Sequence, residues 1–594
     1  MDQAAQSRVK ARHHFHFAMI KPSHYDDDGY PIQWLRSAIP SNTLACMNGL
    51  AEEAARRQVL GPNVELHLHT FDETNSRIRP ERIIAMIRKS GGRGLVGFVG
   101  VQSNQFPRAV DLAKPFLRAG LPVSIGGFHV SGCLAMLPEL PSEIRAAQAL
   151  GISLFAGEAE DGRLDEVLRD AFDGKLAPLY NHMNDLPALE GEPLPILPRA
   201  RVRRTTGTLS SIDLGRGCPY QCSFCTIINV QGRKSRFRTA DDLEKILRQN
   251  YAQGVTRFFI TDDNFARNRE WESLFDRIIK LRSEEGMVFG FTIQVDTLCH
   301  KIPNFIEKAT KAGAGRVFIG LENINPENLI AAKKRQNKIT EYRAMLQKWR
   351  DHGALTCAGY ILGFPADTAD TIKRDIEIIQ NELPLDILEF FCLTPLPGSE
   401  DHQRLWKDGV AMDADLNKYD LEHVCTAHPR MSLQEWQAVY RNAWSLYYTP
   451  AHMKTLLHRA AATGVPLGSL MRLLVRFALT VPLEDVHPLQ GGILRLKHPS
   501  ERRPGLPREM LWVFWPRFAW HALRTHVSAA RMLIRLWLWT RAVAHDPVAL
   551  TYTDMALTPV RDDEDATFDL LTKTSGARAA VAHFKRVAEL TTGS

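Results

Sequence analysis

At 594 residues the chain is too long to fold around one hydrophobic core, which predicts two to four domains. Its 44% hydrophobic and 24% charged residues are those of a globular protein. A formal charge of +7 gives little support to a nucleic-acid partner, since no compact basic tail or RNA-binding module accompanies it. The charge is compatible with an anionic lipid or a phosphate-bearing ligand.

The start, Met1 to Ser7, lacks the apolar run of a secretory signal and predicts a reducing, cytoplasmic setting. From about Phe15 to Phe172, short apolar runs alternate with amphipathic stretches. His16 to Ile20, Val64 to Thr70, Leu95 to Val101, Val123 to Gly126 and Ile152 to Ala156 read as strands, and Pro80 to Lys89 and Phe106 to Ala119 as helices. That rhythm predicts an α/β, doubly wound parallel sheet over residues 1–180, with ligands at the carboxyl ends of its strands. Two strand ends carry glycine: Gly126-Gly127-Phe128-His129 and Gly157-Glu158-Ala159-Glu160. Glycine there lets backbone approach a large flat or phosphorylated ligand, although ordinary turns use it too. A histidine at a strand end more often bonds backbone than a metal, so His129 is expected to line a pocket.

Residues 181–205 are proline-rich, with Pro187, Pro193, Pro195 and Pro198, and read as a linker. Over 206–405 six further strands recur: Leu209 to Leu214, Arg257 to Asp262, Val288 to Val295, Arg316 to Leu321, Leu355 to Leu362 and Ile387 to Leu393. Helical stretches such as Ala240 to Ala252 and Thr368 to Asn381 separate them. Six such units predict a partial (β/α)6 barrel with its chemistry at the strand C-terminal ends.

After the first of these strands comes Gly217-Cys218-Pro219-Tyr220-Gln221-Cys222-Ser223-Phe224-Cys225. Three thiolates at this spacing can reach one small cluster and leave its fourth corner without a protein sulfur. A structural zinc site usually needs four Cys/His ligands, and the next histidine downstream is His300. A disulfide needs an oxidising compartment. The reading that remains is a [4Fe-4S] cluster with an open iron. The other six cysteines are scattered, several of them in apolar runs, and read as small buried hydrophobes.

Later strand ends carry Asp262-Asp263-Asn264, Gln294-Val295-Asp296, Glu322-Asn323 and the run Gly359 to Pro365. Singly, each acid reads as a helix cap or a solvated carboxylate; in register they form a candidate site. Residues 406–594 read as mainly helical and hold most of the tryptophans. The stretch Met510 to Val543 is too often interrupted by arginine to span a bilayer. It reads either as a helix packed on the barrel with outward arginines or as an amphipathic helix lying on a membrane surface. Arg561 to Thr567 reads as a solvated loop before a last helix.

The cysteine spacing, with Phe224 before the third cysteine, resembles the radical S-adenosylmethionine (SAM) superfamily. The two glycine motifs ahead of it resemble the cobalamin-binding domain of that superfamily's B12-dependent members. The resemblance implies that Cys218, Cys222 and Cys225 hold the cluster and that SAM binds the open iron and is cleaved to a 5′-deoxyadenosyl radical. It implies SAM contacts near Phe224, Asp262, Asp263, Gln294, Glu322, Ile361 and Gly363. It further implies a corrin lined by Ser103, Gly126, Gly127, His129, Gly157 and Glu158. No D-x-H-x-x-G stretch is present, so no histidine from that position is expected on cobalt.

The implied activity is methylation of an unactivated carbon on a small apolar substrate, such as a lipid, a tetrapyrrole or another natural product. The alternatives are a non-methylating cyclase or oxidoreductase with the same cofactors, and a sensor without turnover. The implied partner is a strong reductant such as flavodoxin or ferredoxin. The implied location is the cytoplasm, with peripheral contact at the inner membrane face through the C-terminal region as one reading.

Overall fold

The computed structural model describes residues 13–559; the loop and last helix expected beyond Arg561 lie outside the described residues. Two six-stranded parallel sheets organise the chain. The first contains β1 (His13–Lys21), β2 (Val64–Asp72), β3 (Gly94–Phe98), β4 (Val123–Gly126), β5 (Ser153–Ala156) and β6 (Leu179–Asn181). Their spatial order is β2-β1-β3-β4-β5-β6. The order reverses at β1, and open α/β sheets bind ligands beyond the carboxyl ends of their strands at such a switch point. Helices α1 (Asn42–Arg56), α2 (Pro80–Lys89), α3 (Phe106–Arg118), α4 (Phe128–Met136), α5 (Ser142–Ala149) and α6 (Arg163–Asp173) accompany this sheet. Side chains of β1 feed both faces: Phe15, Phe17 and Met19 enter one core, and Ala18 and Ile20 the other.

The second sheet contains β7 (Leu209–Ile212), β8 (Arg257–Ile260), β9 (Gly290–Val295), β10 (Ala314–Glu322), β11 (Leu355–Leu362) and β12 (Ile387–Cys392), in sequential order. Every residue of β11 is buried, as a strand covered on both faces requires. Its helices are α7 (Ala240–Ala252), α8 (Trp271–Glu285), α9 (Phe305–Ala312), α10 (Tyr342–Asp351) and α11 (Ala369–Glu382). Capping boxes at Thr239/Asp242 and Thr368/Thr371 start α7 and α11 and satisfy their first amide donors. The strand expected from Val288 begins at Gly290, and Val288 stays exposed.

The proline-rich stretch is packed rather than loose. Leu189, Leu197 and Val202 are buried, and the Arg238 guanidinium donates to the carbonyl oxygens of Leu189, Glu192 and Pro193. Beyond the barrel lie α12 (Glu400–Lys407), α13 (Leu433–Tyr447), α14 (Pro450–Ala462), α15 (Leu467–Glu484) and α16 (Leu511–Ala544). This region also returns to the first sheet's side of the molecule, because strand Gly492–Leu496 pairs antiparallel with Gln33–Ser37. No described helix is long and apolar enough to cross a membrane.

Glu389 of β12 is buried near Arg316 and near Arg476 of α15, and its Oε2 has no hydrogen-bond partner among the described residues. Burial pushes its carboxyl from an ordinary 4.5 up to about 8, against the pull of the two arginines. A carboxyl with a raised folded-state value stabilises most below its unfolded value, and that contribution is lost as pH rises through the folded one. Urea unfolding of the apoprotein should therefore show roughly 2 kcal/mol less stability at the top of the window from about pH 4.5 to about 8 than in its lower half. Glu389→Gln should flatten the profile; an unchanged slope in the variant would reject this assignment.

Candidate cluster and cofactor site

The three cysteines occupy the loop that leaves β7. That loop starts with Gly215–Arg216, which pairs with Arg236–Phe237. Gly217 adopts φ +89, and a Cβ there would lie 2.5 Å from the Lys234 carbonyl oxygen, so glycine is required at the turn. The Gly217 amide donates to Asp263 Oδ2 at 2.9 Å, and the Cys218 amide to the Gly232 carbonyl at 3.2 Å. Tyr220 donates to Asp296 Oδ2 at 3.3 Å, and Arg267 pairs with the same carboxylate at 2.6 Å. Two strand ends thus hold the loop.

Burial pushes the Cys225 thiol up to about 12, with Cys222 adding to the shift, and burial likewise raises Cys218. Three sheltered sulfurs on one loop suit a cationic centre that draws them as thiolates, so the donor set fits an iron cluster. Gln336 Nε2 approaches Cys222 Sγ at 3.6 Å. The buried Lys334 ammonium lies 5.8 Å from the Phe224 ring centroid. Desolvation lowers the Lys334 value, but Glu322, Cys222 and Cys225 raise it further, so it remains a cation beside the thiols. Lys334 and Gln336 carried no sequence signal; only the fold brings them here.

The expected SAM contacts divide into two groups. Phe224 and Ile361 come together in one apolar cluster with Ala332, Phe364 and Phe391. Asp263 is half-buried beside the loop, raised to about 7 by burial. Asp262 has both oxygens engaged, Oδ1 by the Leu214 amide at 2.7 Å and Oδ2 by Asn268 at 3.0 Å, so it props the loop instead of facing a ligand amine. Gln294 donates to the Asp262 carbonyl at 3.3 Å. Glu322, at φ +63 beside a register shift in β10, is ion-paired with Lys334. Gly363 has φ +103, and a Cβ there would lie 2.0 Å from Trp436, so that tryptophan occupies one side of the expected adenine-binding backbone.

At the switch point of the first sheet lies a partly open cleft of about 180 Å³. Phe17, Leu95, Val99 and Leu164 give it an apolar floor; Gly126, Gly127, Gly157 and Glu158 line its rim. Arg216, Val230 and Gln231, which flank the cysteine segment, close its other wall. The cleft has the apolar character that the face of a corrin needs, and among the described residues its lining contains no histidine. Ser103 and His129, expected in that lining, lie outside it. The His129 side chain, in the first turn of α4, points into the core, where Nδ1 meets Ser103 Oγ at 3.1 Å and burial pushes its value down to about 3. The glycines serve packing first: a Cβ on Gly127 would lie 2.2 Å from the Val101 amide nitrogen.

The strongest electrostatic feature joins the two sheets. Arg216, buried, donates to Glu158 at 2.6 Å, Glu160 at 2.6 Å and Asp213 at 2.9 Å. Arg236 adds a second bond to Glu158 at 2.7 Å. Burial alone would raise Asp213, but Arg216 and Arg238 hold it well below the usual carboxylate range. Both acids of the Gly-Glu-x-Glu segment are therefore partners of the cysteine loop, a role invisible while their partners lie far along the chain. Arg216→Met would strand these carboxylates without their main cation. It should cost about 3–5 kcal/mol in urea unfolding and lower iron retention after anaerobic reconstitution, with Arg216→Lys intermediate. Wild-type iron content and stability in Arg216→Met would contradict this role.

Residues 212–379 match the family model of the radical SAM superfamily. The chain is 28% identical over 345 residues to bacteriochlorophyllide d C-8(2)-methyltransferase of Chlorobaculum tepidum, covering 55% of this chain and 72% of that protein. It is 25% identical over 354 residues to hopanoid C-2 methylase of Rhodopseudomonas palustris, covering 59% and 65% respectively. A solved structure of TsrM, a radical S-adenosylmethionine methyltransferase from Kitasatospora setae with cobalamin and [4Fe-4S] cluster bound, shares the fold. It aligns over 76% of this chain and 95% of that one, with a TM-score of 0.54 and 16% identity. With its cysteine triad at the mouth of a parallel half-barrel, the matched segment, residues 212–379, is a radical SAM domain.

Proposed function

We propose that this protein is a cobalamin-dependent radical SAM methyltransferase acting on an unactivated carbon of an apolar substrate. The observation that carries the reading is the shared wall: the segment bearing the three cysteines also closes the cleft at the switch point of the first sheet. Cys218, Cys222 and Cys225 would hold the [4Fe-4S] cluster; Phe224, Asp263, Gln294, Glu322, Ile361 and Gly363 would surround SAM; Gly126, Gly127, Gly157 and the apolar floor would take the corrin. Once bound, these groups supply reductive cleavage of a sulfonium and a methyl group carried on cobalt.

The protein's own residues position and shield. Lys334 offsets the negative charge of the thiolates, and its pairing with Glu322 fixes both side chains. The apolar cluster of Phe224, Ile361 and Phe364 keeps water from the loop. Arg216 fixes the distance between the two binding regions. A reductant of the flavodoxin or ferredoxin class is required, because such clusters work near about −400 mV. The relatives named for a bacteriochlorophyllide and for hopanoids favour a sizeable apolar substrate.

Anaerobic incubation of the reconstituted enzyme with methyl-labelled SAM, a strong reductant and hopanoid or bacteriochlorophyllide acceptors tests the proposal. The expected outcome is 5′-deoxyadenosine together with label in the extracted acceptor, both falling to background in each Cys→Ala variant. Deoxyadenosine without label in any acceptor would point to the cyclase or oxidoreductase reading. SAM cleavage that survives in the cysteine variants would refute the proposal altogether.

A further inference from the structure

Helix α16 runs for 34 residues, about 51 Å, and is apolar on two opposite faces. One face packs inward. Phe514, Leu536 and Val543 are buried, the Phe514 ring lies tilted 5.5 Å from that of Tyr30, His521 approaches Glu484 of α15 at 3.2 Å, and Lys454 of α14 sits 4.8 Å above the Trp539 ring. At about 100° per residue, the opposite side of the helix carries Trp512, Trp520, Leu523, Val527, Ile534 and Leu538 in one stripe. All are exposed, Trp512 at 74%, Trp520 at 67% and Ile534 at 59%. A soluble surface does not ordinarily leave so long an apolar row in water.

The charges beside the stripe identify what covers it. Between Leu511 and Ala544 there are five arginines and no aspartate or glutamate. Arg517, Arg524, Arg531 and Arg535 fall along one flank of the stripe, and Arg541 closes its C-terminal end. All five are exposed, and Arg524, Arg531 and Arg535 have no ion-pair partner among the described residues. A second copy of this face would set like charge against like charge, with no carboxylate from either helix to offset it. An anionic phospholipid surface supplies the opposite charge along the whole row and an acyl region for the stripe, with tryptophans at headgroup level.

We infer that α16 docks the protein on the surface of an anionic bilayer, lying in the interface plane with the Trp512 to Leu538 stripe inserted and the arginine row among the headgroups. The helix does not span. The proposed function gives this docking its purpose, delivery of an apolar substrate from the lipid phase, but the binding itself rests only on α16.

Cosedimentation of the full-length holoenzyme with vesicles, without SAM or reductant, tests it separately from catalysis. The protein should pellet with phosphatidylcholine vesicles containing phosphatidylglycerol, more weakly with phosphatidylcholine alone, and less as salt is raised. Replacing Trp512, Trp520 and Ile534 together by serine should weaken binding by about tenfold or more. The triple variant Arg524→Gln, Arg531→Gln, Arg535→Gln should remove the preference for anionic vesicles. All these positions face solvent, so iron content and melting temperature should match the wild type. Wild-type protein left in the supernatant with both vesicle types would overturn the inference. So would unchanged binding by the serine variant, or a wild-type dimer on gel filtration that the serine variant turns into a monomer.

Discussion

The arrangement depends on one buried guanidinium. Arg216 precedes the first cysteine by two residues and is held by Glu158 and Glu160 from the loop after β5 and by Asp213 just past the end of β7. Burying such a cluster is costly unless every carboxylate finds a cation at short range, and removing one partner leaves the rest uncompensated. The geometry therefore has little freedom: if the two sheets slid apart, several charges would lose their partners at once. A register this strict suits the proposed function, in which two binding regions would face each other across a reacting carbon. The glycines act in the same direction. Gly132 of α4 has no room for a Cβ, which would lie 2.4 Å from the Pro397 carbonyl oxygen, so the first unit seats directly on the turn ahead of α12.

The region after the barrel closes the open side that six strands leave. Trp436 of α13 fills the space that a side chain on Gly363 would occupy, and its indole donates to the Leu362 carbonyl at 3.2 Å. Trp444 packs edge-on to Phe390 of β12, and the Tyr447 hydroxyl donates to the Leu385 carbonyl. A full barrel would provide this closure with two more strands; here α13 and α15 do it with aromatic bulk. Aromatic richness in this region therefore reflects closure of the barrel as well as the surface of α16.

Much of the architecture was legible because its signals are local. Strands in both sheets announce themselves as short apolar runs bounded by turn residues, and α2 and α7 have the limits their periodicity predicts. The cysteine spacing is equally local. What failed was direction and partnership. Glu158 sits at a strand end, but no local feature tells a carboxylate that faces a cofactor from one that pairs with an arginine 58 residues later. Asp262 looks like a ligand-facing acid until the Leu214 amide and Asn268 claim its oxygens. His129 begins a helix, so its side chain turns into the core while its backbone remains near the cleft. Lys334 lies beyond β10 in a polar stretch, and nothing in that stretch distinguishes it from its exposed neighbour Lys333.

The two faces of α16 resolve what composition left open. Packing on the body of the protein and lying on a membrane had looked like rival accounts of one arginine-interrupted stretch, and they place different demands on different sides of a helix. Phe514, Leu536 and Val543 meet the first on one side, and Trp512, Trp520 and Ile534 remain for the second on the other. Arginine is compatible with both because its stem is apolar and its head charged, so interrupting the run prevents a span without making the surface polar. Once the inner face is fixed to α14 and α15, the outer face cannot turn away from solvent. A rigidly mounted helix with an apolar outer row presents that row in one orientation, which a free amphipathic segment could not do.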